Sequence, residues 1–272
     1  MPELPEVETN ARNLRRYARG KRIVAVTPPP GRRELGGLAP KAFAARVAGH
    51  VVEEVTRRGK WILCRLDGGA GLGLHLGMTG KIAAARGDEE LPRFTRAVFA
   101  LDDGARVCFV DSRRFGKLFA AGYAQLLERP EIARVGPDAL SEVSVEELAR
   151  ILAASRRTVK EVLLDQTRLS GVGNLYATEA LWRAKIHPAK PARALSAAQV
   201  RALHRGIRDA LKHGLRTYAS EDVPEYIEEG APNPFHAYDR AGEPCHRCKT
   251  TLKSMVIGGR TSAFCPACQL RR

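Results

Sequence analysis

A chain of 272 residues with 44% hydrophobic and 28% charged positions has the balance of one large or two modest globular domains, which excludes a disordered chain. Its formal net charge of +15 points to a polyanionic partner and argues against a neutral or acidic surface. No apolar run approaches the roughly 20 residues that span a bilayer, and the acidic start MPELPEVET lacks the basic and apolar regions of a signal peptide, so no membrane partner and a cytoplasmic place are expected.

The first predicted element is a helix over 3–19. Val7, Ala11, Leu14 and Ala18 recur at helical spacing, Pro5 suits a first turn and Gly20 can end it. Pro2 precedes it, and a small second residue normally permits removal of Met1, which would expose a secondary α-amine. Such an amine has a pKa of roughly 7.7–8.0 against roughly 10.4 for lysine, so near neutrality its nucleophilic fraction is on the order of a hundred-fold larger. A secondary amine attacking an aldehydic carbon gives a cationic iminium without a buried lysine. Glu3 and Glu6 share one helix face near the positive helix end, where two carboxyls can divide acid and base work. The same acidic pair also suits an ordinary helix start.

Short apolar runs follow at 23–26, 47–55, 61–66, 72–76, 97–101, 106–110 and 117–121, separated by Gly, Pro and Asp signals. Many short strands in succession predict an antiparallel sandwich or barrel. Within this stretch RRGKWIL sets Lys60 before a strand, HLGMTGK puts His75 and Met78 on a tight turn, and DSRRFGK puts Arg113, Arg114 and Phe115 on another. Met, Arg and Phe on loop tips suit insertion into a duplex from which a base has been rotated, although Met and Phe also serve as core. Cys64 and Cys108 stand alone in strand-like runs and read as buried small hydrophobes.

From about residue 130 the period becomes helical. Ser144 with Glu147 caps a helix carrying Leu148, Ile151 and Leu152; a second helix fits 157–165. The turn Leu169–Asn174 leads to a third over 175–184, and its backbone N–H groups could hold a phosphate or simply make the turn. Ser196 with Gln199 caps a fourth, which Gly214 is expected to stop. Residues 219–244 read as a long polar loop. The last module carries Cys245-x-x-Cys248 and Cys265-x-x-Cys268, 16 residues apart, the spacing of a four-thiolate structural zinc site with one ion per chain. His246, between two of these ligands, is expected on the surface. Arg260 sits at the module's tip, as a phosphate contact or a solvated side chain.

MPELPEVET, RRGKW, HLGMTG, DSRRFG, GVGNLYATEAL and the cysteine finger with Arg260, in this order over nearly the whole chain, resemble the formamidopyrimidine-DNA glycosylase family. The resemblance implies an α+β fold: an antiparallel β-sandwich with an opening helix (1–130), a helix-two-turns-helix domain with a lesion-side loop (131–236) and a zinc-finger hairpin (237–272). It implies a monomer binding damaged double-stranded DNA between its halves. Pro2 would attack C1′ and form a Schiff base, with Glu3 as proton donor and Glu6 supporting the helix start or the flipped nucleotide. Lys60 would contact phosphate and assist elimination, while Arg260, Asn174 and Lys160 would grip flanking phosphates. Met78, Arg113 and Phe115 would fill the void, and His75 belongs to the same DNA-binding set. Successive β- and δ-elimination would cut the strand. Ser112 stands where the family's turn usually has proline, and 219–236 shows no Gly-Tyr-Phe-like element of the kind that covers an oxidised purine. The alternatives are an endonuclease VIII-like enzyme for oxidised pyrimidines and a non-catalytic zinc-bearing DNA binder.

Overall fold

The computed structural model describes residues 2–218 and 233–271. They form two compact units, one running to Arg134 and one comprising Val135–Thr217 with the described residues 233–271. Most of the loop expected at 219–244 lies outside the described residues.

The first unit opens with α1 (Leu4–Ala18), whose Val7, Ala11, Leu14 and Ala18 are buried as one stripe. Then come β1 (Ile23–Thr27), α2 (Pro40–Val47), β2 (Val52–Arg58), β3 (Trp61–Leu66), β4 (Ala70–His75), β5 (Lys81–Arg86), β6 (Thr95–Leu101), β7 (Ala105–Val110) and β8 (Lys117–Gly122). All pairings are antiparallel, giving two four-stranded sheets in the orders β1-β6-β7-β5 and β2-β3-β4-β8. Inner side chains of both sheets, such as Phe99 and Phe109 from one and Ile62 and Leu74 from the other, join the α1 stripe in a single core, which makes the unit a sandwich rather than a closed barrel. Cys64 and Cys108 are buried as expected, and burial pushes the Cys64 thiol up to about 12, so it stays an inert apolar group.

Two expectations are corrected here. The run 47–55 is not one strand: Val47 ends α2, a helix begun by Pro40 that buries Phe43 and Val47 one turn apart, and the strand starts at Val52. β5, with sequence KIAAAR, was not expected as a strand because its alanines carry little strand signal; its pairing with β7 supplies what propensity lacks.

Helices α3 (Tyr123–Glu128) and α4 (Pro130–Ala133) close the first unit. The second carries α5 (Val145–Ala153), α6 (Val159–Leu164), α7 (Asn174–Ala184) and α8 (Ala197–Thr217), followed by the hairpin β9 (Lys253–Ile257) and β10 (Arg260–Phe264). Ser144 accepts the N–H of Glu147 at the start of α5, and Ser196 and Gln199 exchange side-chain bonds ahead of α8, as read from the sequence. Gly214, by contrast, does not stop α8, which runs on to Thr217. An ideal Cβ at 214 would lie 2.1 Å from the Tyr176 hydroxyl, so this glycine makes room for α7 rather than ending a helix.

Candidate functional site

In the first unit the chemistry gathers around the start of α1 and one end of the β2-β3-β4-β8 sheet. Glu3 is the N-cap of α1, and it closes a capping box with Glu6, whose Oε2 accepts the Glu3 N–H at 2.9 Å. Of the two roles foreseen for Glu6, this geometry realises the helix-start one: its carboxylate fixes the backbone that carries Pro2 and Glu3. Both acids are buried, and Pro2 is buried too. Asn10 anchors the helix further along. Its amide donates to the Glu6 carbonyl at 2.8 Å and accepts the Ile82 N–H of β5 at 2.6 Å. Arg57 of β2 donates to Glu8 at 3.0 Å and to the Gly59 carbonyl at 2.9 Å, which ties the turn bearing Lys60 to α1.

Trp61 pairs with His75, and His75 with Lys117, so Lys60, the turn 76–80 and the turn 111–116 lie at the same sheet end. Lys60 is buried. Burial, with the ammonium groups of Lys60 and Lys117 adding to it, pushes His75 down to about 4. Its imidazole is therefore neutral near pH 7. Nδ1 accepts the Gly77 N–H at 3.2 Å, which places the ring proton on Nε2 as a donor. Gly77 has φ +63°, and a Cβ there would stand 2.5 Å from the Phe115 carbonyl carbon, so the two turns touch through backbone. The buried Asp111 stitches them further. Oδ1 accepts the Thr79 hydroxyl at 2.5 Å and the Arg113 N–H at 3.2 Å, and Oδ2 accepts the Gly116 N–H at 2.8 Å. The turn residues then divide: Met78 is half-buried, while Phe115 is 45% exposed with the Arg113 guanidinium 5.2 Å over its ring. Asp111 was missed in the sequence, although an Asp opening a turn is a recognisable signal.

The second unit assembles the other expected residues. Thr158 and Glu161 cap α6 reciprocally, and α6 carries Lys160. Lys160 is fully enclosed: its ammonium donates to the Asn174 carbonyl at 2.9 Å and the Thr178 hydroxyl at 2.6 Å. It thus departs from the phosphate-gripping role expected of it, because its charge is spent inside, holding the first turn of α7. The Gly-rich turn is shaped by Gln166, whose amide donates to the Leu164 and Val172 carbonyls at 3.1 and 2.6 Å and accepts the Gly171 N–H at 3.1 Å. No local pattern in the sequence marks Gln166. Asn174 begins α7 and donates to the Thr261 carbonyl at 2.9 Å, bringing that helix start beside Arg260. Arg260 is exposed at the head of β10, after a two-residue turn in which Gly258 and Gly259 both take positive φ.

The four cysteine Sγ atoms of 245, 248, 265 and 268 lie within 4.8 Å of one another. A tetrahedral zinc with bonds of about 2.3 Å needs sulfurs about 3.8 Å apart, so a small adjustment closes the site. Trp182 Nε1 and the Cys268 N–H donate to Cys245 and Cys265 sulfurs, each at 3.4 Å, the kind of bonds that steady thiolates. The set therefore fits one structural zinc, and His246 is exposed and outside it. Trp182 lies between the His236 ring at 4.8 Å and the Arg247 guanidinium at 4.2 Å, and Gln269 bonds the Ile186 carbonyl at 2.8 Å, so the finger is docked on α7.

Three family models match the chain: the formamidopyrimidine-DNA glycosylase N-terminal domain over residues 1–118, its H2TH domain over 135–222, and the zinc finger found in FPG and IleRS over 242–271. The formamidopyrimidine-DNA glycosylase of Roseiflexus sp. (strain RS-1) is 42% identical over 99% of this chain and 100% of its own length. The crystal structure of the MutM (FPG) protein from Thermus thermophilus superposes with a TM-score of 0.84 at 35% identity, covering 98% of both chains. The Lactococcus lactis Fpg in complex with abasic-site DNA superposes at 0.87 and 27% identity, covering 98% of this chain and 99% of that one. The same Lactococcus protein has also been solved with DNA containing an oxidised pyrimidine, at TM-score 0.88, 27% identity, and coverage of 99% and 100%.

Proposed function

Because the chain belongs to the formamidopyrimidine-DNA glycosylase family, it is a DNA glycosylase of base excision repair with abasic-site lyase activity that acts on damaged DNA, and we propose that Pro2 is the group that carries both reactions. The observation supporting this reading is the start of α1, where Glu3 and Glu6 fix the backbone directly after Pro2 and Asn10 and Glu8 secure that helix to β5 and β2. With Met1 attached the Pro2 nitrogen is an amide and has no lone pair to give. Removal of Met1 frees it, and the depressed basicity of an α-amine leaves a usable neutral fraction near pH 7.

The neutral amine forms a bond to C1′ as the glycosidic bond breaks, and the base departs with that electron pair and a proton. Glu3 protonates the sugar ring oxygen, the ring opens and the nitrogen becomes an iminium. Loss of a C2′ proton expels the 3′-phosphate, and a second elimination expels the 5′-phosphate. Lys60 steadies the phosphate beside the lesion, and the neutral His75 offers an Nε2–H donor at the same sheet end. Met78, Arg113 and Phe115 occupy the space of the rotated nucleotide. Asn174 and Arg260 hold flanking phosphates, and Lys160 serves them by anchoring α7. Zinc supplies the finger's structural integrity and takes no part in bond changes. The substrates are oxidised purines and formamidopyrimidines. The chain works as a cytoplasmic monomer in three modules, 1–130, 131–236 and 237–272.

The test is borohydride trapping of Met1-processed protein on oligonucleotides carrying an abasic site, 8-oxoguanine, a formamidopyrimidine or an oxidised pyrimidine. A covalent adduct on the first three is expected, and protein that keeps Met1, in which the Pro2 nitrogen is an amide, should lose it while still binding DNA. No adduct from the processed protein would leave a zinc-bearing DNA binder without chemistry, and an adduct strongest on oxidised pyrimidine would make the enzyme endonuclease VIII-like.

A further inference from the structure

The turn that carries Arg113 and Phe115 is held from a second direction by a residue far away in the chain. Arg114, between them, takes φ +57°, a left-handed conformation uncommon for anything but glycine. Its guanidinium forms a two-pronged pair with Glu34, Nε to Oε1 at 2.8 Å and Nη2 to Oε2 at 3.1 Å. The Glu34 side chain is 10% exposed while that of Arg114 is 49% exposed, so the carboxylate is the fixed half of the pair. The Glu34 carbonyl accepts the Leu118 N–H at 2.7 Å, which registers the segment against the start of β8. Gly31 completes the seat. Its φ is unremarkable, yet an ideal Cβ there would lie 2.5 Å from Glu34 Oε2, so any side chain at 31 displaces the carboxylate.

A strained residue persists only where its surroundings over-determine it. Here the surroundings are the Asp111 bonds to the Arg113 and Gly116 N–H groups and, on the Arg114 side chain itself, the buried Glu34 carboxylate. Reversing the chain at Arg114 leaves the side chains on either side of it together, with the Arg113 guanidinium 5.2 Å over the Phe115 ring. We propose that Glu34 is a positioning residue for reading the partner base: through Arg114 it fixes the turn conformation in which Arg113 and Phe115 enter the duplex as one unit. This rests on the reading that those two side chains fill the void left by the rotated nucleotide. Asp111 braces the same turn from within, whereas Glu34 ties it to a segment that otherwise takes no part in the site.

The experiment compares Glu34→Gln, Gly31→Ala, Arg114→Lys and the double variant Glu34→Gln/Arg114→Lys on three substrates. These are a lesion duplex with cytosine opposite, the same duplex with adenine opposite, and a single-stranded oligonucleotide with an abasic site, which has no partner base to read. Glu34→Gln should lower kcat/KM on the cytosine duplex by about tenfold and flatten the preference between partner bases. Borohydride trapping on the single strand should stay within about twofold, since a missing clamp removes only interactions made with duplex. Gly31→Ala should reproduce both effects, and the double variant should be no worse than its poorer parent. An equal loss on single strand and duplex, an unchanged partner preference, or additive losses in the double variant would overturn the proposal. Thermal unfolding of each variant separates a folding defect from these outcomes. Failure of the Pro2 reading shows separately, as no adduct from the unsubstituted protein on any substrate.

Discussion

The N-terminal sandwich and the C-terminal finger both hold exposed cationic side chains in place, with different resources. In the sandwich, Phe43, Ile62, Leu74, Phe99 and Phe109 belong to one continuous core, and the turns at the sheet end are pinned by buried carboxylates. In the finger the apolar cluster reduces to Trp182, Ala237, Cys245, Leu252 and Cys265, with two ligands among its members. Apolar burial of that size cannot offset the ordering of residues 242–271, so the metal must supply the difference. The sandwich should then tolerate loss of single polar ties, and the finger should not tolerate loss of its ion.

Zinc removal is the harshest way to break that comparison. Chelation, or Cys265→Ala, should unfold the finger outright, since a structural zinc site contributes on the order of 10 kcal/mol of apparent folding energy. DNA affinity should collapse with the placement of Arg260. Hydrogen exchange should show residues 245–268 losing protection while β3, β4 and β7 keep theirs. Simultaneous loss of protection in the sandwich would refute the distinction.

Glu179 tests the segment where the finger joins α7. It is 1% exposed and accepts the N–H groups of His236, Ala237 and Tyr238 at 3.0, 2.7 and 3.0 Å. Burial would raise its pKa, but the bonds from the His236 side chain and those three amides outweigh it and hold the carboxyl below the usual range. A depressed carboxyl stabilises fully above its unfolded pKa, and that contribution is lost as pH falls through the folded value. Glu179→Ala should cost about 3–5 kcal/mol in denaturant unfolding at pH 7, because a buried cluster of donors loses its acceptor. The variant should also lose the part of the parent's acid sensitivity that lies below the ordinary Glu range, and keep the rest. A cost below about 1 kcal/mol would mean the metal alone fixes this segment.

What the sequence disclosed follows the same division. The α1 stripe, the apolar strands and the two CxxC pairs are written within a few residues of one another, so periodicity and spacing reach them. So are the capping pairs Ser144–Glu147 and Ser196–Gln199. The contacts that shape the site's turns are not local: Glu34 meets Arg114 across 80 positions, and Lys160 turns inward only because Thr178 of α7 stands beside it. Gly214 misled for the same reason, since a glycine near a helix end and a glycine under a tyrosine look alike in one dimension. The position of Pro2 next to the start of α1 was legible, but its burial was not.

His75 sharpens the comparison on the sandwich side. Because its pKa falls from 6.5 to about 4 on folding, the unfolded chain binds the extra proton first. Stability is therefore full above pH 6.5 and declines as pH drops toward 4, by up to about 3 kcal/mol over that window. Unfolding free energies at about pH 7.5 and about pH 5 should show the decline, and His75→Asn should flatten it.

The smallest effect lies in the helices of the second unit, which should behave like the sandwich and unlike the finger. α8 meets α7 at two glycines: a Cβ at Gly206 would stand 2.6 Å from the Ala180 carbonyl, and one at Gly214 2.1 Å from the Tyr176 hydroxyl. Helix propensity alone favours Gly214→Ala by about 1 kcal/mol. Overpacking against a tyrosine that is 1% exposed and set edge-on to Phe235 at 6.0 Å should cost about 1–3 kcal/mol. The clash wins if these helices are close-packed, so Gly214→Ala should lower the denaturation midpoint, with or without chelator. A rise in the midpoint would mean that α7 and α8 yield freely, and that the metal, not packing, holds the whole second unit together.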